Sequence, residues 1–276
     1  MLLKVTHDTH YSHASPVSHG LMELRLLPQE NAMLRIVDWT VRLEGAREEL
    51  RFFDQHGNGV ILASYARTQQ DITVHCSGTV ETADTAGVFG DHRMAAPLWY
   101  FKRQTTLTRP GAGLRALVKR LEDAGGSNVD RFHALSRLIA GEVSYETGVT
   151  AAETTAEEAL SLGKGVCQDH AHIMISVARL MGFPARYVSG YLMMNDRIEQ
   201  EASHAWAEVH IDGLGWVGFD VSNGISPDER YVRVATGLDY SEAAPVRGLH
   251  RGPAGNPAGN PAGASDKLLV NIAVQQ

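Results

Sequence analysis

Three residues of types that can share a reaction are spread over the second half of the chain: Cys167, His204 and Asp220. A thiol beside an imidazole that a carboxylate orients is an activated nucleophile. Cys167 sits in Gly163-Lys164-Gly165-Val166-Cys167-Gln168-Asp169-His170, a glycine-bearing loop that runs straight into an apolar helical stretch. A cysteine at a helix N-terminus feels the positive end of the helix dipole, which favours the nucleophilic thiolate. The chain has only two cysteines, so a thiol in this setting needs a reason.

The histidine and the aspartate are placed by hairpin geometry. Asp212-Gly213-Leu214 is a natural short turn between strands expected at 204–211 and 215–221. Setting Ile211 opposite Gly215 puts Trp206 opposite Asp220, with His204 on the same face and diagonal to it. Diagonal Cβ atoms sit about 7–8 Å apart, within reach of a His–Asp hydrogen bond. A slip of one residue would send the two side chains to opposite faces. In this register Asp220 fixes the tautomer and orientation of His204, and His204 takes the proton from Cys167.

The elements that must hold these residues read as an α+β protein of two parts. Residues 1–108 carry short strand-like runs: 21–26, ended by Pro28; 34–43; a strand, glycine turn and strand at 52–62; and 71–82, which contains Cys76. They suggest an antiparallel β-sandwich-like domain. The core is expected over 109–248. Apolar residues at 114, 117, 118 and 121 have helical spacing, as do Phe132, Leu135, Leu138 and Ile139. Thr155 with Glu158 three residues on resembles a capping box. After the Gly163–Gly165 loop, the stripe Cys167, Ala171, Met174, Ala178 and Met181 adjoins a second of Ile173, Val177 and Leu180. That helix is apolar around much of its girth, so it is expected at the centre. Residues 249–265 repeat Pro, Gly, Ala and Asn and read as a flexible linker. A last strand over 266–276 is expected to dock on a sheet edge.

Composition narrows the function classes. The chain of 276 residues is 43% hydrophobic and 21% charged, with a formal net charge of −7. That suits a globular protein of one large or two ordinary domains, and the charge argues against nucleic acid or an anionic membrane as partner. Residues 1–5 turn polar at Thr6-His7-Asp8, too short for a signal-peptide apolar region, and no run approaches the ~18 apolar residues of a membrane helix. Two cysteines make no disulfide framework, so a reducing, cytoplasmic setting is expected. No phosphate-cradling glycine loop is present and no cofactor is implied. A homo-oligomer is compatible with the sequence, though no motif supports one.

Several motifs resemble one family. Gly165-Val166-Cys167-Gln168-Asp169-His170-Ala171-His172, followed by Gly182-Phe183-Pro184-Ala185-Arg186-Tyr187-Val188-Ser189-Gly190-Tyr191, is similar to the transglutaminase-like superfamily. His204-Ala205-Trp206-Ala207-Glu208-Val209 and Trp216-Val217-Gly218-Phe219-Asp220 resemble its second and third motifs. Ser18-His19-Gly20-Leu21-Met22-Glu23-Leu24-Arg25-Leu26-Leu27-Pro28 resembles the N-terminal β domain of the bacterial transglutaminase-like cysteine proteases. The resemblance implies a papain-like, transglutaminase-like core: Cys167 as nucleophile, His204 as general base and acid, Asp220 as orienter. The implied chemistry is acyl transfer from a peptide or protein amide, through a thioester, to water or to an amine. Val221-Ser222 stands where the family often has Pro-Thr, and Ser161 where crosslinking members carry an oxyanion-stabilising Gln. The second departure weakens the crosslinking reading more than the hydrolase reading.

The remaining candidates each have a plainer reading. Gln168 contacts substrate or simply packs. His170 and His172, two apart on a helix, point to different faces and so make a poor metal pair; one of them is expected to border the substrate cleft. Trp206 is expected as a wall shielding the Cys–His pair. Glu208 and Asp212 read as solvated strand and turn charges. Cys76, mid-strand with no partner in view, reads as packing. A non-catalytic scaffold that retains the fold and a metal-dependent hydrolase stay as rivals to the cysteine amide hydrolase.

Overall fold

Period-two burial organises the first half of the chain. The computed structural model describes residues 1–12, 19–66, 71–121, 125–194, 198–200, 202–251 and 267–276. Strand β1 (Leu2–Ser12) buries Leu3, Val5, His7 and Thr9 and turns the alternate residues outward. It is followed by β2 (His19–Leu27), β3 (Leu34–Glu44), β4 (Arg47–Phe53), β5 (Gly59–Ala66), β6 (Asp71–Thr82) and β7 (Val88–Gly90). A 3-10 turn at Leu98–Lys102 leads to the helices α1 (Ala112–Leu121) and α2 (Asn128–Glu142).

The second half interleaves helix and strand. Its elements are β8 (Ser144–Tyr145), α3 (Ala156–Leu162), β9 (Lys164–Gly165), α4 (Cys167–Leu180), β10 (Ala185–Leu192), β11 (Glu199–Gln200), β12 (His204–Ile211), β13 (Gly215–Phe219) and β14 (Tyr231–Gly237). The chain closes with α5 (Tyr240–Ala243), β15 (Val246–Arg251) and β16 (Lys267–Gln275). Thr155 caps α3 in the expected box with Glu158.

Three larger sheets and the two-stranded β8-β9 pair result. The orders β11-β16-β1-β6-β3 and β15-β2-β5-β4 form the N-terminal sandwich, whose core includes Leu24, Ile61, Val74 and Cys76. The third, β14-β10-β12-β13-β7, carries α4 on one face through a core that includes Ile173, Val177, Ala207 and Val209. This is the α+β architecture that the sequence leads one to expect. A cluster of Leu3, Val5 and Val80 with Tyr191, Val232 and Val234 joins the sandwich to the third sheet.

The C-terminal segment departs from the expected boundaries. The core was expected to end at 248 and a linker to begin at 249, yet β15 runs to Arg251 and pairs antiparallel with β2. The free edge of β2 supplies backbone partners that a glycine- and proline-poor stretch can take. Residues 252–265 of the expected linker lie outside the described residues. β16 runs antiparallel to β1, with Val274 opposite Val5.

Buried Arg179 pins the far end of α4. Its guanidinium donates to the carbonyls of Phe101, Ala185 and Leu238 and to the Thr108 hydroxyl, with no carboxylate in direct contact. Among the described residues no helix is long and apolar enough to cross a membrane.

Candidate active site

Cys167 is the first residue of α4, and the chain before it is held tightly. α3 ends at Gly163, whose φ of 68° is the left-handed geometry that favours glycine. β8 and β9 then pair in parallel, fixing the two residues before Val166. Asp169 folds back over the helix start: its Oδ2 accepts the Val166 N–H at 2.8 Å and the Thr150 hydroxyl at 2.7 Å. Gly165 makes room for this, since a Cβ there would lie 2.7 Å from Asp169 Oδ2. Cys167 is thereby presented at the helix N-terminus, 9% exposed.

His204 and Asp220 meet as the hairpin register requires. Ile211 lies opposite Gly215 and Ala207 opposite Phe219. His204 Nε2 donates to Asp220 Oδ2 at 2.6 Å, with the aspartate fully buried. Cys167 also favours the charged form of this imidazole, and Nδ1 is the ring nitrogen not used by Asp220. Burial works against a charge on His204, but the hydrogen bonds and charges of Asp220 and Cys167 outweigh it and raise its pKa to about 10. Burial likewise opposes charge on Asp220, yet donors from His204, Asn223 and Tyr231 hold its pKa below the usual value. Both shifts favour an imidazolium paired with a carboxylate over two neutral groups.

Two further residues complete the aspartate's shell, and the sequence reading missed both. Tyr231, at the start of β14, donates to Asp220 Oδ2 at 2.7 Å. Asn223 donates its side-chain N–H to the same oxygen at 2.7 Å and its backbone N–H to Oδ1 at 3.2 Å. An Asp three residues before an Asn in a turn is a local signal that could have found Asn223. Tyr231 comes from β14, three places from β13 in the sheet, and leaves no local signature.

The other expected site residues fall as follows. Trp206 is buried, its ring 6.3 Å from that of His204 and 5.4 Å from that of Tyr231, and so walls the site. Gln168 is half-buried and donates to the Ala152 carbonyl at 3.0 Å. His170 is buried, with Nδ1 2.8 Å from Ser222 Oγ and Nε2 2.9 Å from the Val143 carbonyl. His172 is fully buried and accepts the Tyr240 N–H at 3.1 Å. His170 uses both ring nitrogens in these contacts, while His172 Nδ1 is buried without a hydrogen-bond partner among the described residues. Burial lowers both pKa values, that of His172 to about 4. Glu208 is also corrected. It is fully buried rather than solvated, because it accepts from Arg186 at 2.6 Å and lies 3.1 Å from Arg233 Nε. The described residues hold no group of three or more His, Cys, Asp and Glu placed to bind a metal.

Comparison with known proteins adds to this geometry. Two family models match the chain: the transglutaminase-like superfamily over residues 115–221 and the bacterial transglutaminase-like N-terminal region over residues 3–81. An uncharacterized protein of Mycobacterium leprae is 28% identical over 269 residues, covering 91% of this chain and 93% of that one. An uncharacterized protein of Mycobacterium tuberculosis is 37% identical over 131 residues, 44% of this chain and 42% of that one. Among solved structures, a protein described as a candidate cysteine protease from Cytophaga hutchinsonii superposes with a TM-score of 0.74 at 19% identity. It covers 100% of this chain and 98% of that chain, and at that identity the likeness is one of fold.

Proposed function

The chain belongs to the transglutaminase-like superfamily, and on that premise we propose that it is a cysteine-dependent amide hydrolase of the peptidase type. The observation that carries the reading is the 2.6 Å contact of His204 Nε2 with Asp220 Oδ2, with Cys167 at the N-terminus of α4. A cysteine beside an imidazolium is the setting in which sulfur works as a thiolate nucleophile.

In this reading the Cys167 sulfur attacks the amide carbonyl, and the carbonyl oxygen takes up the charge. The backbone N–H of Cys167, in the first turn of α4 where helix donors are free, is one donor for that oxyanion. His204 gives its proton to the leaving amine as the C–N bond breaks, and a thioester remains. Water then attacks the thioester, His204 takes the proton of that water, and the acid leaves as the thiolate returns. Asp220 keeps the imidazole in the tautomer and orientation that both transfers need. Ser161 stands where crosslinking members carry an oxyanion-stabilising Gln, which weakens the crosslinking reading more than the hydrolase reading.

The test is the pH dependence of iodoacetamide labelling in the wild type, Cys167→Ala, Cys76→Ala and His204→Ala. Rapid labelling near neutral pH, lost in Cys167→Ala and slowed in His204→Ala, is the expected result. Labelling only near ~8.5, the ordinary thiol range, with no effect of His204→Ala, would overturn the activated pair. A subsequent search with amide libraries, with and without added amine, separates hydrolysis from transamidation.

A further inference from the structure

A cleft of about 840 Å3 is lined by residues other than Cys167, His204 and Asp220, and the catalytic scheme does not use it. Its lining comes from three places: the segment after the 3-10 turn, the turn at 152–153, and the stretch from Leu238 to Gly248 that carries α5 and the start of β15. Two of those places touch elements that also carry the site. Ala152 receives the side-chain amide of Gln168, the residue after Cys167. Tyr240 packs its ring 6.0 Å from that of buried Tyr187, and its backbone N–H donates to His172 on α4.

The lining has unused binding capacity of a particular kind. Arg103 and Arg247 are both exposed on it, and neither is in an ion pair among the described residues. Arg103 is instead held over the Tyr100 ring at 5.4 Å. Gln104 is anchored by Nε2 to the Ser176 carbonyl at 3.0 Å, while its Oε1 is buried without a partner. Of the three lining carboxylates, Glu242 is bound by His56 and the Leu238 N–H, and Asp239 by the Ser241 N–H and hydroxyl. Glu153 alone has no hydrogen-bond or ion-pair partner among the described residues. Two free guanidiniums against one free carboxylate suit a ligand that brings a carboxylate.

We propose that this cleft is the acyl-donor subsite and that it takes a peptide segment bearing a carboxylate side chain. The carboxylate meets Arg103 and Arg247. The proposal rests on the acyl-transfer reading for its link to Cys167, but its test does not depend on turnover. Two blocked pentapeptides that differ only in a central Glu or Gln are titrated calorimetrically into full-length Cys167→Ala. The Glu peptide is expected to bind at least about tenfold more tightly, as for a charge-assisted contact, and Arg103→Ala with Arg247→Ala is expected to abolish the difference. Circular dichroism of the double variant confirms that it is folded. Equal binding of the two peptides, no binding of either at millimolar concentration, or a preference that survives the double substitution overturns the proposal. In the wild type the Glu peptide is expected to slow iodoacetamide labelling of Cys167. Binding without slowing would make the cleft a site apart from the nucleophile and overturn the subsite assignment. Labelling of Cys167 in the absence of peptide reports on the catalytic reading alone, so the two failures are distinguishable.

Discussion

The Tyr231 hydroxyl and the His204 imidazole converge on one atom, Asp220 Oδ2, at 2.7 and 2.6 Å. Burial and the neighbouring carboxylate push the phenol pKa up, so Tyr231 stays a donor throughout the working range. Tyr231→Phe removes one of three donors from a buried charged oxygen. A hydrogen bond to a charged group is worth about 1.5–3 kcal/mol, and the lower end is expected because Asn223 and His204 remain. Urea denaturation measures that loss. A positioning role also predicts a roughly tenfold slower alkylation of Cys167 and an altered pH profile of that reaction. A residue that only packs would move the urea midpoint and leave the labelling profile unchanged.

The two cysteines differ in ways that mass spectrometry can read. Cys76 is buried mid-strand in β6, and burial, partly offset by hydrogen bonds from Trp39 and Tyr191, raises its pKa to about 12. Folded protein treated with iodoacetamide at pH 7 is therefore expected to carry one label, on Cys167. Protein unfolded in urea is expected to carry two. A label on Cys76 in the native state would mean that the sandwich opens on the timescale of the reaction.

The site was legible in the sequence where local geometry dictates it. A three-residue turn between Ile211 and Gly215 leaves one register that keeps His204 and Asp220 on one face, and that register is the one found. The capped α3, the Gly163–Gly165 loop and the apolar α4 are likewise short-range features. What escaped depends on distant pairings. Tyr231 reaches Asp220 only because β14 lies against β10, across the sheet from β13. β15 escaped because its partner β2 is more than two hundred residues earlier in the chain. Glu208 escaped because strand alternation cannot tell a solvated face from one covered by another layer.

That covered face gives the next prediction. Glu208 is fully buried between Arg186 and Arg233, and the Arg186 guanidinium also stacks on Trp216, 3.9 Å from the ring centroid. Arg233 Nε approaches at 3.1 Å without the alignment of a hydrogen bond, so its attraction is chiefly that of charge. Removing the shared carboxylate leaves two like charges buried. Glu208→Ala is expected to destabilise the protein by roughly 3–5 kcal/mol, the cost typical of breaking a buried pair. Chemical denaturation measures it. A loss below about 1 kcal/mol would mean that water or a rearranged arginine reaches the site.

Stability should depend on pH with opposite signs on the two sides of pH 6.5. His204 has its folded pKa raised from 6.5 to about 10. Its contribution is full below 6.5 and lost as pH rises through about 10, because the folded state holds a proton that the unfolded chain releases. His7 and His172 have theirs lowered to about 4, chiefly by burial. Their contribution is present above 6.5 and lost as pH falls toward 4, because unfolding then takes up protons. The melting temperature is therefore expected to peak near pH 6.5 and fall on both limbs. His204→Gln is expected to flatten the alkaline limb alone, and His7→Gln to reduce the slope of the acid limb alone. A wild-type melting temperature that stays level between pH 6.5 and 10 would show that His204 is neutral in the folded protein. The hydrogen bond at Asp220 would then orient a free base rather than hold an imidazolium.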